Sequence, residues 1–181
     1  MKKYLLTIVF ITMYSVGVFA QRYQPVEEKS EVQFKVTHQM IFKSTVTGYL
    51  KGLKGIVLFN PKDLASSLFD ISVKAATINT GINMRDNDLR KEKYFDVGKF
   101  PEITIKSKRI TKGTHENEYL LSALLTMKGK TLPVAFPFTA IQKNSGYAFK
   151  GQFQINRLDY NVGPDNSIDK IVIIDLSVIV P

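Results

Sequence analysis

The sequence predicts an all-β domain of about eight or nine antiparallel strands, closed into a barrel or folded as a sandwich. Three observations carry this. From Ser30 to Val180 apolar residues recur with period two rather than 3.6. The apolar runs are short and are separated by turn residues such as Asn60-Pro61. The domain also begins and ends on strand-like runs, so closing the last strand against the first would remove two bare edges.

Each element follows from its own pattern. EVQFKVTH puts Val32, Phe34, Val36 and His38 on one face and Glu31, Gln33, Lys35 and Thr37 on the other. STVTGYLKG and GIVLF come next. SSLFDISVKAATI then sets Phe69, Ile71, Val73 and Ala75 against Asp70, Ser72, Lys74 and Ala76. The charged stretch INTGINMRDNDLRKEKYFDV, residues 78–97, interrupts the alternation. There Asn83 is placed to cap a short helical crossover over about residues 83–92, with Asp86 near its positive end and Leu89 and Phe95 as apolar anchors. Arg85 and Asp86 read as a pair that fixes the geometry of this crossover.

After it, EITIKSKRI alternates Ile103 and Ile105 with Thr104 and Lys106. YLLSALLTMKG, VAFPFTAIQK and YAFKGQFQINR are three further strands. Pro133 and Pro137 each remove a ladder donor, which predicts a sheet edge or a bulge in that segment. The final IVIIDLSVIV alternates Val172, Ile174, Leu176, Val178 and Val180 with a second face carrying Asp175 and Ser177. So apolar a strand should not stand as a bare edge.

The first twenty residues, MKKYLLTIVFITMYSVGVFA, read as a secretory signal peptide. Lys2 and Lys3 form its positive end, an uncharged apolar stretch follows, and Val18 and Ala20 supply the small residues before a cut after Ala20. Removing it leaves 161 of 181 residues as one domain, 21–181, and lowers the formal charge from +9 to +7 by the loss of Lys2 and Lys3. The mature chain is therefore expected in the periplasm or outside the cell. Without cysteine it has neither disulfides, nor a lipid-modified N-terminus, nor a thiol nucleophile. For an exported protein the basic balance points to an anionic membrane surface or an acidic head group rather than to nucleic acid, or simply to solubility.

Chemistry-bearing motifs are sparse. With two histidines and no cysteine, imidazole-rich or thiolate metal sites are nearly excluded, and no metal is expected. Asp86-Asn87-Asp88 resembles the start of a calcium loop, but Arg90 and Lys91 stand where a ligand and a glycine are required. No serine elbow and no nucleotide-binding glycine pattern is present. The inner face is rich in Phe34, Phe69, Phe136, Phe138, Phe149 and Phe153, which suits either a filled core or a cavity for a hydrophobic guest.

Six elements in order resemble the YceI-like, polyisoprenoid-binding family of exported bacterial proteins. They are SEVQFKVTH, then VTGYLKGLKGIVLFNPKDLASSLFDISVKAATINTG, RDNDLRKEKYFDVGKFPEITIKSKRI, LLTMKGKTLPV, GQFQINRLDYNVG and the last valine-rich strand. The resemblance spans essentially the whole mature chain and rests on RD-x-x-L, YFD-x-x-x-FP and LT-x-KG-x-T occurring together. It departs from the family at Asp88, often histidine there, and at Ala123 and Leu124 before the LT-x-KG element, with Leu124 expected on the outer wall.

The resemblance implies an extended eight-stranded antiparallel lipocalin-like β-barrel whose lumen takes a long chain. Its expected lining is Phe34, Val36 and His38; Phe69, Ile71 and Val73; Phe95, Ile103 and Ile105; Leu121, Leu125 and Met127; and Phe136, Phe138, Phe149, Phe153 and Ile155. Arg85, Asp86, Asp88 and Arg157 are expected either at a head group or as supports of the crossover. The implied function is non-catalytic binding, transport or storage of an isoprenoid or other amphiphilic lipid, such as a polyisoprenoid or isoprenoid quinone, with no resident cofactor and with the protein a monomer or homodimer. Two other readings stay open. One is an enzyme using Asp86, Asp88 or His38 as acid or base, and the other is a membrane-surface module built on the basic stretch from Arg85 to Lys112.

Overall fold

The computed structural model describes residues 21–39, 43–165 and 167–181. The expected signal peptide, residues 1–20, lies outside the described residues. Among the described residues ten strands run antiparallel in one curled sheet. In chain order they are β1 (Arg22–Tyr23), β2 (Glu31–Gln39), β3 (Lys43–Lys51), β4 (Lys54–Leu58), β5 (Leu68–Lys74), β6 (Glu102–Lys112), β7 (Glu118–Met127), β8 (Lys130–Lys143), β9 (Gly146–Asn156) and β10 (Ile168–Val180). Their order in the sheet is β1-β4-β5-β6-β7-β8-β9-β10-β2-β3.

The lipocalin-like all-β architecture is the expected one, with ten strands instead of eight. The two-residue β1 adds a short flank on β4, and the bend at Gly52 and Leu53 divides β3 from β4. The C-terminal strand is covered on both sides, by β9 and by β2. Among the described residues the ring of strands closes through an antiparallel bridge, where Tyr49 and Asn79 exchange backbone bonds of 2.8 and 3.0 Å.

The Pro133 and Pro137 expectation has a clear counterpart. β8 pairs with β7 over Lys130–Thr139 but with β9 only over Phe138–Lys143, so both prolines fall where the β9 side carries no ladder. Phe136 and Phe153 stack across that split at 4.3 Å and 11°. A register slip between Ser107 and Arg109 in β6 carries no such sequence signal.

The helical crossover is α1 (Asn83–Arg90), ending two residues earlier than expected. Asn83 is not its cap. Ile82 holds that position in an extended conformation, and Asn83 is already in the first turn. Ala75–Thr77, expected to continue a strand, forms a 3-10 turn instead, which brings the chain up to α1.

The barrel interior has two halves. At one end Phe59, Phe69, Tyr119, Phe138, Tyr147 and Phe149 pack ring against ring, with centroids 5.1 Å apart for Phe59–Tyr119, Phe59–Tyr147 and Phe69–Phe149. Tyr23 joins this cluster edge-on to Tyr147, and burial raises its phenol above the ordinary tyrosine range. The other half is hollow.

Candidate functional site

The hollow half is a cavity of about 500 Å³. Its wall is built by period-two strands. Val32, Phe34, Val36 and His38 come from β2, Ile71 and Val73 from β5, and Ile103 and Ile105 from β6. Leu125 and Met127 of β7, Phe153 and Ile155 of β9, and Val172, Ile174, Leu176 and Val178 of β10 continue it, and Val46 and Leu50 of β3 with Leu53 after it add to it. Gly48 on β3 sits opposite Phe34, and a β-carbon there would lie 2.2 Å from the ring, so glycine makes room for Phe34 against the wall.

α1 and the turns after it form the roof. Leu89, Tyr94 and Phe95 point down into the cavity, and Phe95 N–H donates to the Leu89 carbonyl at 3.0 Å. Ile82 and Met84 line the cavity while 52 % and 78 % exposed, so they stand at its mouth. The segment after β9 meets this roof where Gly163 N–H donates to the Lys93 carbonyl at 3.0 Å. Gly163 has φ +71°, and a β-carbon would come within 2.7 Å of the Tyr94 ring.

Three polar joints hold the roof in place. Thr80 is the first. Its N–H donates to Asp86 Oδ1 at 2.8 Å, and its hydroxyl also donates to that carboxylate. Arg85 Nε donates back to the Thr80 hydroxyl at 2.7 Å and Nη2 to the Thr80 carbonyl at 2.9 Å. Arg85 and Asp86 therefore act through a shared threonine. Asp86 is buried and turned away from the cavity.

Arg90 is the second joint, donating to the carbonyls of Ala76 at 2.9 Å and Ile78 at 2.8 Å. The third is Arg157, 5 % exposed and on the cavity wall. It donates to the carbonyls of Val162 and Ile168 at 2.8 Å and to those of Pro164 and Asp169 at 2.9 Å. Burial lowers its pKa from the usual arginine value, opposed by Tyr94 and Asp165.

Twelve of the seventeen residues expected on the wall are there: Phe34, Val36, His38, Ile71, Val73, Phe95, Ile103, Ile105, Leu125, Met127, Phe153 and Ile155. Phe69, Leu121, Phe136, Phe138 and Phe149 are not. All five face inward as their strand parity requires, but they are buried in the filled core, because parity assigns a face and not a level along the barrel. Arg85, Asp88 and Arg157 reach the cavity and Asp86 does not.

His38 Nε2 lies 2.9 Å from the Ser167 hydroxyl. Asp88 is paired with Lys91 at 2.7 Å. His115 sits in the β6–β7 turn against Glu118 at 2.9 Å and does not line the cavity. Asp86 is thus enclosed and Asp88 is ion-paired, so the two carboxylates do not converge on one point. Among the described residues no cluster of three or more histidine and acidic groups could hold a metal ion.

The expected lining omits Val32 of β2 and Val172, Ile174, Leu176 and Val178 of β10, although their alternation is a plain signal in the sequence. Thr80 and Arg90 had none, since their partners are a carboxylate on the next turn and two carbonyls.

The model of the YceI-like domain family matches residues 23–180. Protein YceI of Escherichia coli O6:H1 is 24 % identical over 177 residues, covering 91 % of this chain and 90 % of its own length. The UPF0312 protein YE1254 of Yersinia enterocolitica is 25 % identical over 140 residues, 74 % of this chain and 71 % of its own. Among solved structures, BcnA of Burkholderia cenocepacia aligns with a TM-score of 0.78 at 27 % identity, over 86 % of this chain and 98 % of its own. A polyisoprenoid binding domain from Saccharophagus degradans, implicated in plant cell wall breakdown, aligns with a TM-score of 0.67 at 15 % identity, over 87 % and 97 %. With a family match that runs from Tyr23 to Val180, almost the whole described domain, this chain belongs to the YceI-like domain family.

Proposed function

We propose that the protein holds the apolar chain of an amphiphilic lipid, of isoprenoid or acyl type, in its cavity and does so without catalysis, outside the cytoplasm. The observation that carries this is the cavity itself: about 500 Å³ walled almost wholly by aliphatic and aromatic side chains, within a barrel whose other half is solidly packed. Family membership supports the same reading, as does the polyisoprenoid-binding description of the Saccharophagus degradans domain of the same fold. The signal-like residues 1–20 support export.

Chain burial supplies the affinity, at roughly 0.8 kcal/mol per methylene group removed from water. Ordering the chain and losing its translational freedom offset a large part of this. Asp88 and His38, the latter bonded to Ser167, give the mouth a polar character suited to a head group, while Ile82 and Met84 give it apolar flanks.

Replacing Ile105 with Trp tests the reading, because the larger side chain enters the cavity from the first half of β6. The folded variant should lose uptake of a fluorescent prenyl lipid by at least about tenfold, roughly 1.4 kcal/mol. Unchanged uptake would place the lipid elsewhere and reject the proposal.

A further inference from the structure

The division of the barrel into a filled and a hollow half has a sharp boundary. Along β5 it falls between Phe69, packed 5.1 Å from Phe149 and 5.4 Å from Phe138, and Ile71, which faces the cavity. Along β9 it falls between Phe149 and Phe153, and along β7 between Leu121 and Leu125. Phe59, 2 % exposed and beyond the end of β4, fills the centre beneath, with Tyr119, Tyr147 and Phe149 at 5.1, 5.1 and 5.2 Å.

We infer that this aromatic floor fixes the length of chain the protein can hold, selecting a single chain of roughly 15–20 carbons and leaving the remainder of any longer chain outside the mouth. The inference rests on the lipid-holding reading above and adds a length limit to it.

Two measures of the hollow half agree on that length. At about 30 Å³ for a methylene-sized group, taken as the share of a water molecule, 500 Å³ holds about 17 such groups. The cavity-lining run from Val32 to His38 spans six residue steps, about 20 Å of strand at about 3.3 Å per residue. A chain cannot pass deeper without displacing rings packed at interior density, and no lesser adjustment opens such a core. Carbon atoms beyond the limit therefore meet only the rim at Ile82 and Met84, which is itself exposed to water.

The test is a graded series of straight-chain and prenyl alcohols, from about 10 to about 40 carbons, competed against one fluorescent prenyl probe on the full mature chain. Affinity should climb by up to about fourfold per added methylene, then level off near 16–20 carbons. Phe69→Ala should move the plateau to longer chains, and Leu125→Phe, which raises the floor, should move it to shorter ones, with thermal melts establishing that each variant is folded. Should Phe69→Ala fail to fold, the wild-type series and Leu125→Phe still decide. A wild-type affinity that keeps climbing through about 30 carbons, or a plateau unmoved in a folded floor variant, would overturn the inference while leaving lipid holding intact. Absence of binding at every length would instead remove the lipid-holding reading, and this inference with it.

Discussion

Replacing Arg157 with Ala separates a structural arginine from a head-group arginine. Its guanidinium lies buried on the cavity wall and donates to four main-chain carbonyls, of Val162, Pro164, Ile168 and Asp169, at 2.8–2.9 Å. Two of those carbonyls, of Val162 and Pro164, follow the last 3-10 turn (Arg157–Tyr160), and two, of Ile168 and Asp169, open β10, so one side chain ties the turn to the strand. A hydrogen bond to a charged group contributes about 1.5–3 kcal/mol, and a buried acceptor left without its donor costs about 1–3 kcal/mol. The four do not add independently, and the outermost carbonyls regain water, so the loss should be about 3–5 kcal/mol.

Urea denaturation of wild type and variant reads this directly, as a lower midpoint at unchanged slope. Arg157→Lys should recover only about 1–2 kcal/mol, because an ammonium is a point donor and cannot reach four carbonyls arranged around a planar fork. A loss under about 1 kcal/mol in Arg157→Ala, with a selective fall in uptake of anionic lipids, would refute the reasoning and return Arg157 to the head group.

Thr80→Val should cost about 1–3 kcal/mol, because it removes the hydroxyl bond to Asp86, leaving that carboxylate only the backbone N–H, and deprives Arg85 Nε of its acceptor, and Thr80→Ser should restore most of it. Comparable midpoints for the valine and serine variants would contradict that. Arg85→Ala should lower the thermal midpoint while lipid occupancy changes less than twofold, about 0.4 kcal/mol, since the Arg85 bonds go to Thr80; the reverse outcome would assign it to the ligand.

Asp175 supplies a pH test. The hydrogen bond from Gln152 at 2.6 Å, aided by Lys35 at 3.0 Å and opposed by burial, holds its pKa below the ordinary carboxylate value. A depressed folded pKa contributes stability that is fully present above the unfolded value, about 4, and is lost as pH falls through the folded one. Asp175→Asn should therefore lower stability at pH near 7 by less than about 1 kcal/mol and flatten the decline towards pH about 3. An acid decline as steep as that of wild type would sink this assignment.

The fold was legible because strand parity is a local signal. Val32 to His38 and Val172 to Val178 announce their faces in sequence, and the structure places both sets on the same wall. Pro133 and Pro137 marked the stretch of β8 without a β9 neighbour for the equally local reason that proline has no donor. What parity cannot encode is depth. Phe69 and Ile71 look equivalent in sequence, yet one closes the core and the other faces the cavity, and the difference is set by Phe59 arriving from a loop. The polar joints were hidden for a related reason. Arg85 and Asp86 were visible as an odd pair in a charged stretch, but Thr80, the residue that joins them, is an ordinary threonine until the chain folds back on itself.

The charged crossover first invites an active-site reading, and its geometry argues for a roof support. Asp86 is enclosed by Thr80, Asp88 is paired with Lys91, and Arg90 is spent on carbonyls of the preceding segment. Such an arrangement holds Leu89, Tyr94 and Phe95 over the cavity, which is what a protein that shields a chain from water requires.

The most direct test of the central claim is native mass spectrometry of the protein purified without added lipid, followed by solvent extraction of whatever is bound. The account predicts a stoichiometric adduct that extracts as a single-chain amphiphile and is lost in Ile105→Trp. A wild-type protein that is empty on isolation and takes up no prenyl or acyl chain when offered one would contradict it.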